Sequence, residues 1–295
     1  MSISLGIGLA FIAMLCWGFG DFLIQKSSRK IGDVESLFLI TLIGAIILLP
    51  FVWKDIFALI TGGIVGNKTL AILLAASIIL LIAAITDFEG LKRGKLAVVE
   101  PIWSFEVPVS AAMAFIILGE RVSLIQILLI VLLLIFLAMV GFRNKKLDKT
   151  FFFEKGVFVA FLGAVFMGVA NFMMGWGGRV SSPLMVNFFT DAFIMIIMAI
   201  LLMRDRKLAQ TFRDLKKNIA VMLPMSISDK VAWVAFVFAM TLAPIAVATA
   251  LSESYIIVAV ILGLFINHEK IHAHQRIGLV GAVAVAIVLA ILTSA

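Results

Sequence analysis

The chain is poor in several things, and each shortage excludes something. It has one cysteine, Cys16, so an intrachain disulfide and a cysteine-built metal cluster are both closed to it. Charge is scarce: 14% of the 295 residues are Asp, Glu, Lys or Arg, against 63% hydrophobic, and no polar stretch is long enough to make an appended soluble domain. The nucleophile elbow GxSxG, the metalloprotease HExxH and the phosphate-binding P-loop are all missing, so no soluble-type enzyme chemistry, metal site or cofactor is indicated. A basic leader before the first apolar run is missing too. That run, from about Ile3 to Leu23, is long enough to span a bilayer and reads as a membrane helix rather than a cleaved signal. The net charge of +7 would suggest nucleic acid in a soluble protein, but here the basic residues sit in short loops between apolar runs.

What is present is apolar length. Ten runs read as membrane spans, over about 3–25, 34–53, 69–91, 95–118, 122–142, 155–178, 182–203, 217–242, 245–266 and 274–294, which predicts an all-α polytopic membrane protein. Alternating spans sort the loops onto two sides. Nineteen of the 24 Lys and Arg fall on the side away from the termini, four fall on the terminus side, and Lys230 lies within a span. The bias of basic residues toward the cytoplasm then places both termini outside it, in a multi-pass protein of the cell (plasma or inner) membrane.

The two halves echo one another. Gly6, Ala10, Phe11, Gly18 and Phe22 recur 150 residues later as Gly156, Ala160, Phe161, Gly168 and Phe172, with Asp21 answering to Asn171. At an offset of 149, Ala97, Val98, Ile117, Glu120 and Gln126 recur as Ala246, Val247, Ile266, Glu269 and Gln275. Two repeats, 1–142 and 155–295, joined by a basic loop at 143–154, are implied. Five spans per repeat is an odd number, so the second repeat is inverted, an arrangement of transporters.

Polar residues within the spans mark where a cavity would lie. The fourth span carries Glu100, Pro101, Trp103, Ser104, Glu106 and Pro108. Glu100, Trp103, Glu106 and Ser110 share an arc of roughly 120° on a helix. Each acid costs about 2.5–3.5 kcal/mol at the bilayer centre on insertion scales, so an acid-bearing face points to a wet cavity or a substrate site. A helix kinked only for packing, with its acids neutralised by bases elsewhere, is the alternative. Matching polar faces occur on span 1 (Trp17, Asp21), span 6 (Asn171), span 7 (Asn187, Asp191), span 8 (Asp229, Lys230, Trp233) and span 9 (Glu253, with Tyr255 to one side). These residues, with Trp103 and Glu106, are the candidate substrate-binding set. Spans 5 and 10 carry nothing polar across their middles and read as lipid-facing buttresses.

Within this set Glu106 is the candidate for energy coupling. Pro108 lacks an N–H, which frees the carbonyl of Ser104 and lets the helix bend and hydrate beside Glu106. Buried acids of this kind suit a proton relay. The alternative is a static bridge from Glu106 to Lys230. Asp87 and Glu89 are expected to pair with Lys92, Arg93 or Lys95 at the headgroups. The small-residue stripe Gly278, Ala282, Ala286 and Ala290 marks a helix contact, either inside the chain or in a homodimer, so monomer and homodimer both stay open. His268, His272 and His274 beside Glu269 read as solvated loop residues rather than metal ligands.

At this point the whole chain resembles the drug/metabolite transporter superfamily, in its ten-span EamA-type members. The resemblance rests on Trp17-Gly18, on Glu106 followed by Gly119-Glu120-Arg121, and on the second-half echo, where Ala243-Pro244 opens the ninth span and Glu269 stands for Glu120. The departures are Glu106-Val-Pro108 with a Glu-Pro, Glu100-Pro101, six residues earlier, and Asn267-His268-Glu269 in place of a second Gly-Glu. The resemblance implies an inverted five-plus-five fold around a central cavity that passes small solutes. The expectation is a secondary transporter for a small polar or amphipathic metabolite, working by alternating access in the lipid bilayer, with protons as the coupling ion. It needs no cofactor and no nucleic acid. A non-transporting receptor or assembly protein on a degenerate transporter fold is the alternative.

Overall fold

A computed structural model of the chain describes residues 2–61, 63–93, 102–141, 155–266 and 271–294. Among these residues the chain is helical throughout, without strands. In chain order the helices are α1 (Ile3–Ile31), α2 (Asp33–Thr61), α3 (Gly63–Arg93), α4 (Glu106–Leu118), α5 (Leu124–Gly141), α6 (Lys155–Val180), α7 (Pro183–Arg204), α8 (Leu208–Leu242), α9 (Ile245–Ser252), α10 (Tyr255–Ile266) and α11 (Ala273–Ser294). Nine described stretches are long and apolar enough to cross a membrane, and Glu106–Leu118 is a shorter apolar helix. The chain is therefore a multi-pass helical membrane protein.

Three expected spans come out differently. The fourth does not run unbroken: the chain leaves the helix at Ser104 and Phe105, and α4 begins at Glu106. The carbonyl of Ser104, which Pro108 cannot serve, accepts instead from the Val107 N–H at 3.3 Å. The ninth is two helices, α9 and α10, separated by a turn at Glu253 and Ser254. Here too the turn closes by bonds to the third residue back, from Ser254 N–H to Leu251 O (3.2 Å) and from Ile257 N–H to Ser254 O (2.9 Å). The eighth starts earlier than its apolar run, at Leu208, and a non-helical Asn218 (φ −116°, ψ 19°) separates the charged leading segment from the apolar span.

Packing pairs helices from opposite halves. The most extensive contacts are α1 with α8, α3 with α6, α2 with α7 and α5 with α11. In addition α4 lies on α6, α10 and α9 lie on α1, and α4 meets α9. The largest buried cluster includes Phe172, Phe236, Met240, Val247 and Leu251, which lie on α6, α8 and α9.

The α5–α11 pair is peripheral, with Leu124, Leu128, Val131 and Ile135 on one helix and Val280, Ile287 and Ile291 on the other turned outward. The small-residue stripe of α11 faces α5: a Cβ on Gly278 would meet Phe136 O and Met139 Cβ, each at 2.8 Å, and Ala282, Ala286 and Ala290 are buried. That stripe is spent on packing within the chain. Two glutamines fasten the pair at its ends. Gln126 accepts from Ser123 N–H (2.8 Å) and donates to Thr293 Oγ1 (3.0 Å). Gln275 accepts from His272 N–H (2.9 Å) and donates to Val140 O (2.9 Å). The same box therefore opens α5 and α11 149 residues apart, and each copy reaches across to the other helix.

Candidate functional site

The two breaks meet at mid-bundle. Small residues let them approach: a Cβ on Gly168 would meet Glu106 O and Val109 Cβ, each at 2.6 Å, so α6 sits directly against the start of α4. Gly18 holds the related position on α1, where a Cβ would run into Val258 and lie 3.0 Å from Tyr255 O. Side chains from both breaks line a cavity of about 190 Å³. Trp103, Glu106, Glu253 and Tyr255 come from the breaks, Trp17 from α1, Asp87 from α3, Met167 and Asn171 from α6, and Asp229 and Trp233 from α8.

Polar contacts fix this wall. The Glu106 and Glu253 carboxyls face one another within hydrogen-bonding reach. A carboxylate has no donor, so a bond between them would need a proton on one of the two groups. Asn171 Nδ2 donates to Glu106 Oε2 at 3.3 Å. Trp17 lies beside Asp229 on this wall and stands edge-on to Trp233 (5.3 Å between ring centres), Phe236 (5.1 Å) and Tyr255 (6.4 Å). Asp87 Oδ1 and Trp103 Nε1 are buried on the wall with no partner among the described residues.

Eight of the twelve residues singled out in the sequence line this cavity: Trp17, Trp103, Glu106, Asn171, Asp229, Trp233, Glu253 and Tyr255. Three others lie elsewhere. Lys230 forms an ion pair with Asp191, and both side chains are sealed at 5% and 8% exposure. Gly44 of α2 leaves room for the pair, since a Cβ there would overlap Asp191 and Lys230. Asn187 donates to its own helix at Pro183 O, 2.8 Å away. The expected alternative of a Glu106–Lys230 bridge is thus corrected, because Lys230 is held by Asp191 across α7 and α8. The Asp21 side chain lies outside the described residues, as do Glu100, Pro101, His268 and Glu269. His272 and His274 stack on each other at 5.7 Å, and no cluster of metal-ligating side chains occurs among the described residues.

Asp87 also lines the cavity, held against Gly163 of α6, where a Cβ would strike its carboxylate; its expected partners Lys92, Arg93 and Lys95 have side chains outside the described residues. Its only sequence signal is an acid closing an apolar run, which fits headgroup pairing equally well. Met167 carried no signal at all.

The Gly-Glu-Arg motif sits at one closed end of the bundle, beside the N-terminal end of α1. Gly119 adopts a left-handed conformation (φ 64°) and ends α4, with Gly119 N–H bonded to Phe115 O and Glu120 N–H to Ala114 O. That turn delivers Glu120 to the start of α9, where both its oxygens accept from Ile245 N–H at 3.1 Å. Arg179, at the end of α6, pairs with Glu120 at 3.1 Å. It also donates to Met240 O and Ala243 O at the end of α8. The acid thus caps a helix start, the base caps a helix end, and each favours its own dipole. Gly6 of α1 lies against Leu242 and Ala243 at the same end.

A polytopic helical bundle with a polar cavity between interrupted helices defines a transporter-like permease. The chain belongs to the EamA-like transporter family, whose sequence model matches residues 4–142 and again 154–291. One solved crystal structure superposes with a TM-score of 0.75 over 99% of both chains at 14% identity, a likeness of fold alone. No curated protein matches the chain in sequence.

Proposed function

We propose that the chain is a secondary active transporter that moves a small polar or amphipathic metabolite across the cell membrane by alternating access, with protons as the coupling ion. The observation that carries this reading is the meeting of two helix breaks, 149 residues apart, at the facing carboxyls of Glu106 and Glu253 beside a cavity. Broken helices at the interface of two repeats are where transporters bind solute and ion.

The proposed architecture is ten spans in two inverted repeats, 1–142 and 155–295, joined at 143–154. Its support is the exchange of partners: α1 packs on α8 as α6 packs on α3, and the pairs Gly18/Gly168 and Gln126/Gln275 serve the same contacts in each half. The closed end held by Glu120 and Arg179 would lie outside the cytoplasm, with both termini. Alternating access requires this end to open.

Glu106 is the proposed proton carrier. In proteoliposomes with an imposed pH gradient, Glu106→Gln is expected to abolish gradient-driven accumulation while retaining solute exchange, since the amide keeps its hydrogen bonds but cannot cycle a proton. Unchanged accumulation would remove the carrier role. The absence of flux for any solute would favour a non-transporting receptor instead.

A further inference from the structure

The chemistry of the cavity wall narrows what can enter it. Among the described lining residues four carry carboxyl groups (Asp87, Glu106, Asp229 and Glu253) and none carries a basic group. Carboxyl groups are neutral or negative and never positive, so whatever their protonation the described wall offers nothing to balance an anion. The deep base nearest to it, Lys230, is committed to Asp191. Arg179 is committed at the closed end to Glu120, Met240 and Ala243.

The other lining residues are four aromatics, Trp17, Trp103, Trp233 and Tyr255, with Met167 and Asn171. Indole and phenol rings attract a cation at their faces, most strongly where water is excluded. One wall atom, Asp87 Oδ1, is an acceptor buried without a partner among the described residues, and an ammonium group can supply the donor whose lack costs it free energy. Size fits a ring-bearing solute, because the cavity of about 190 Å³ exceeds the ~150 Å³ that accommodates benzene in an engineered protein cavity.

Building on the transporter reading, we propose that the solute is an organic cation with an aromatic or apolar body and no carboxylate. The acids would balance its charge and the indoles would hold its body. A zwitterion of the same shape would leave its carboxylate among carboxyl groups with no basic partner.

Three probes sharing one benzene ring test this on the purified full chain in nanodiscs, by isothermal titration calorimetry: phenethylamine, phenylalanine and 3-phenylpropionate. Phenethylamine is expected to bind, phenylalanine to bind at least tenfold more weakly, and 3-phenylpropionate to give no signal. Trp103→Ala and Trp233→Ala are expected to weaken the amine roughly 5- to 30-fold. Equal or tighter binding of phenylalanine or 3-phenylpropionate overturns the proposal, and so does silence from all three. The ligand series on the unaltered chain decides this even if the variants fail to fold. Flux of labelled phenethylamine into proteoliposomes separates the two claims. Binding without flux keeps the cation site and removes the transporter reading. Flux of phenylalanine without binding of the amine keeps the transporter and removes the cation.

Discussion

Two buried polar pairs lie in the same bundle and behave as opposites. Glu106 and Glu253 are 6% and 8% exposed, while Lys230 and Asp191 are 4% and 6% exposed, so burial does not tell them apart. What differs is charge and surroundings. The first pair brings two like groups together at the wall of a cavity, where two helices break. The second joins opposite charges in a closed pocket under Gly44, between α7 and the apolar part of α8, twelve residues beyond the break at Asn218. The acid pair sits where the helices are interrupted, and the ion pair sits away from the nearest interruption.

The contrast breaks most visibly at Lys230. Replacing it with Met leaves Asp191 buried without a counter-charge, which is expected to cost about 3–5 kcal/mol and to lower the melting temperature of the purified protein sharply. The double replacement Lys230→Met with Asp191→Leu should recover most of that loss. Gly44→Ala pushes a Cβ into the same pair and is expected to cost about 1–3 kcal/mol, read in the same melt. Arg179→Ala frees the closed end. It is expected to cost about 1–3 kcal/mol and to speed maleimide labelling of a cysteine at Ser181, in a chain with Cys16 replaced. Least affected should be the stability of Glu106→Gln, at under about 1 kcal/mol, because the amide can still bond Glu253 and Asn171. A large loss there would mean that the acid pair holds the fold as the ion pair does, and the contrast would collapse.

Much of this was legible in the chain itself. Long apolar runs separated by basic breaks give the spans, since lipid allows only helices to satisfy their own backbone. Acids at depth drew eight cavity residues out of the sequence because their insertion cost demands a reason. What stayed hidden depended on pairing in space. Asp191 and Glu106 look alike along the chain, and only the approach of α8 decides that Lys230 answers to the first. The place of Asp87 on the cavity wall stayed hidden because depth along a helix cannot be told from the end of an apolar run. The break at Glu253 has no proline to announce it, unlike the one before Pro108. Gly119-Glu120-Arg121 stands out in the sequence as a motif of the resemblance, yet its work depends on Arg179 and Ile245, which lie far along the chain.

The latch made by Glu120 and Arg179 also sets how the closed end can come undone. Its side chains are 15% and 29% exposed, so water already reaches them. Each bond they make to Ile245, Met240 and Ala243 can be handed to a water molecule in turn, at a net cost of about 0.5–1.5 kcal/mol apiece. The opening that alternating access would require at this end would thus combine the stepwise hydration of these bonds with the parting of apolar contacts such as Gly6 on Leu242 and Ala243.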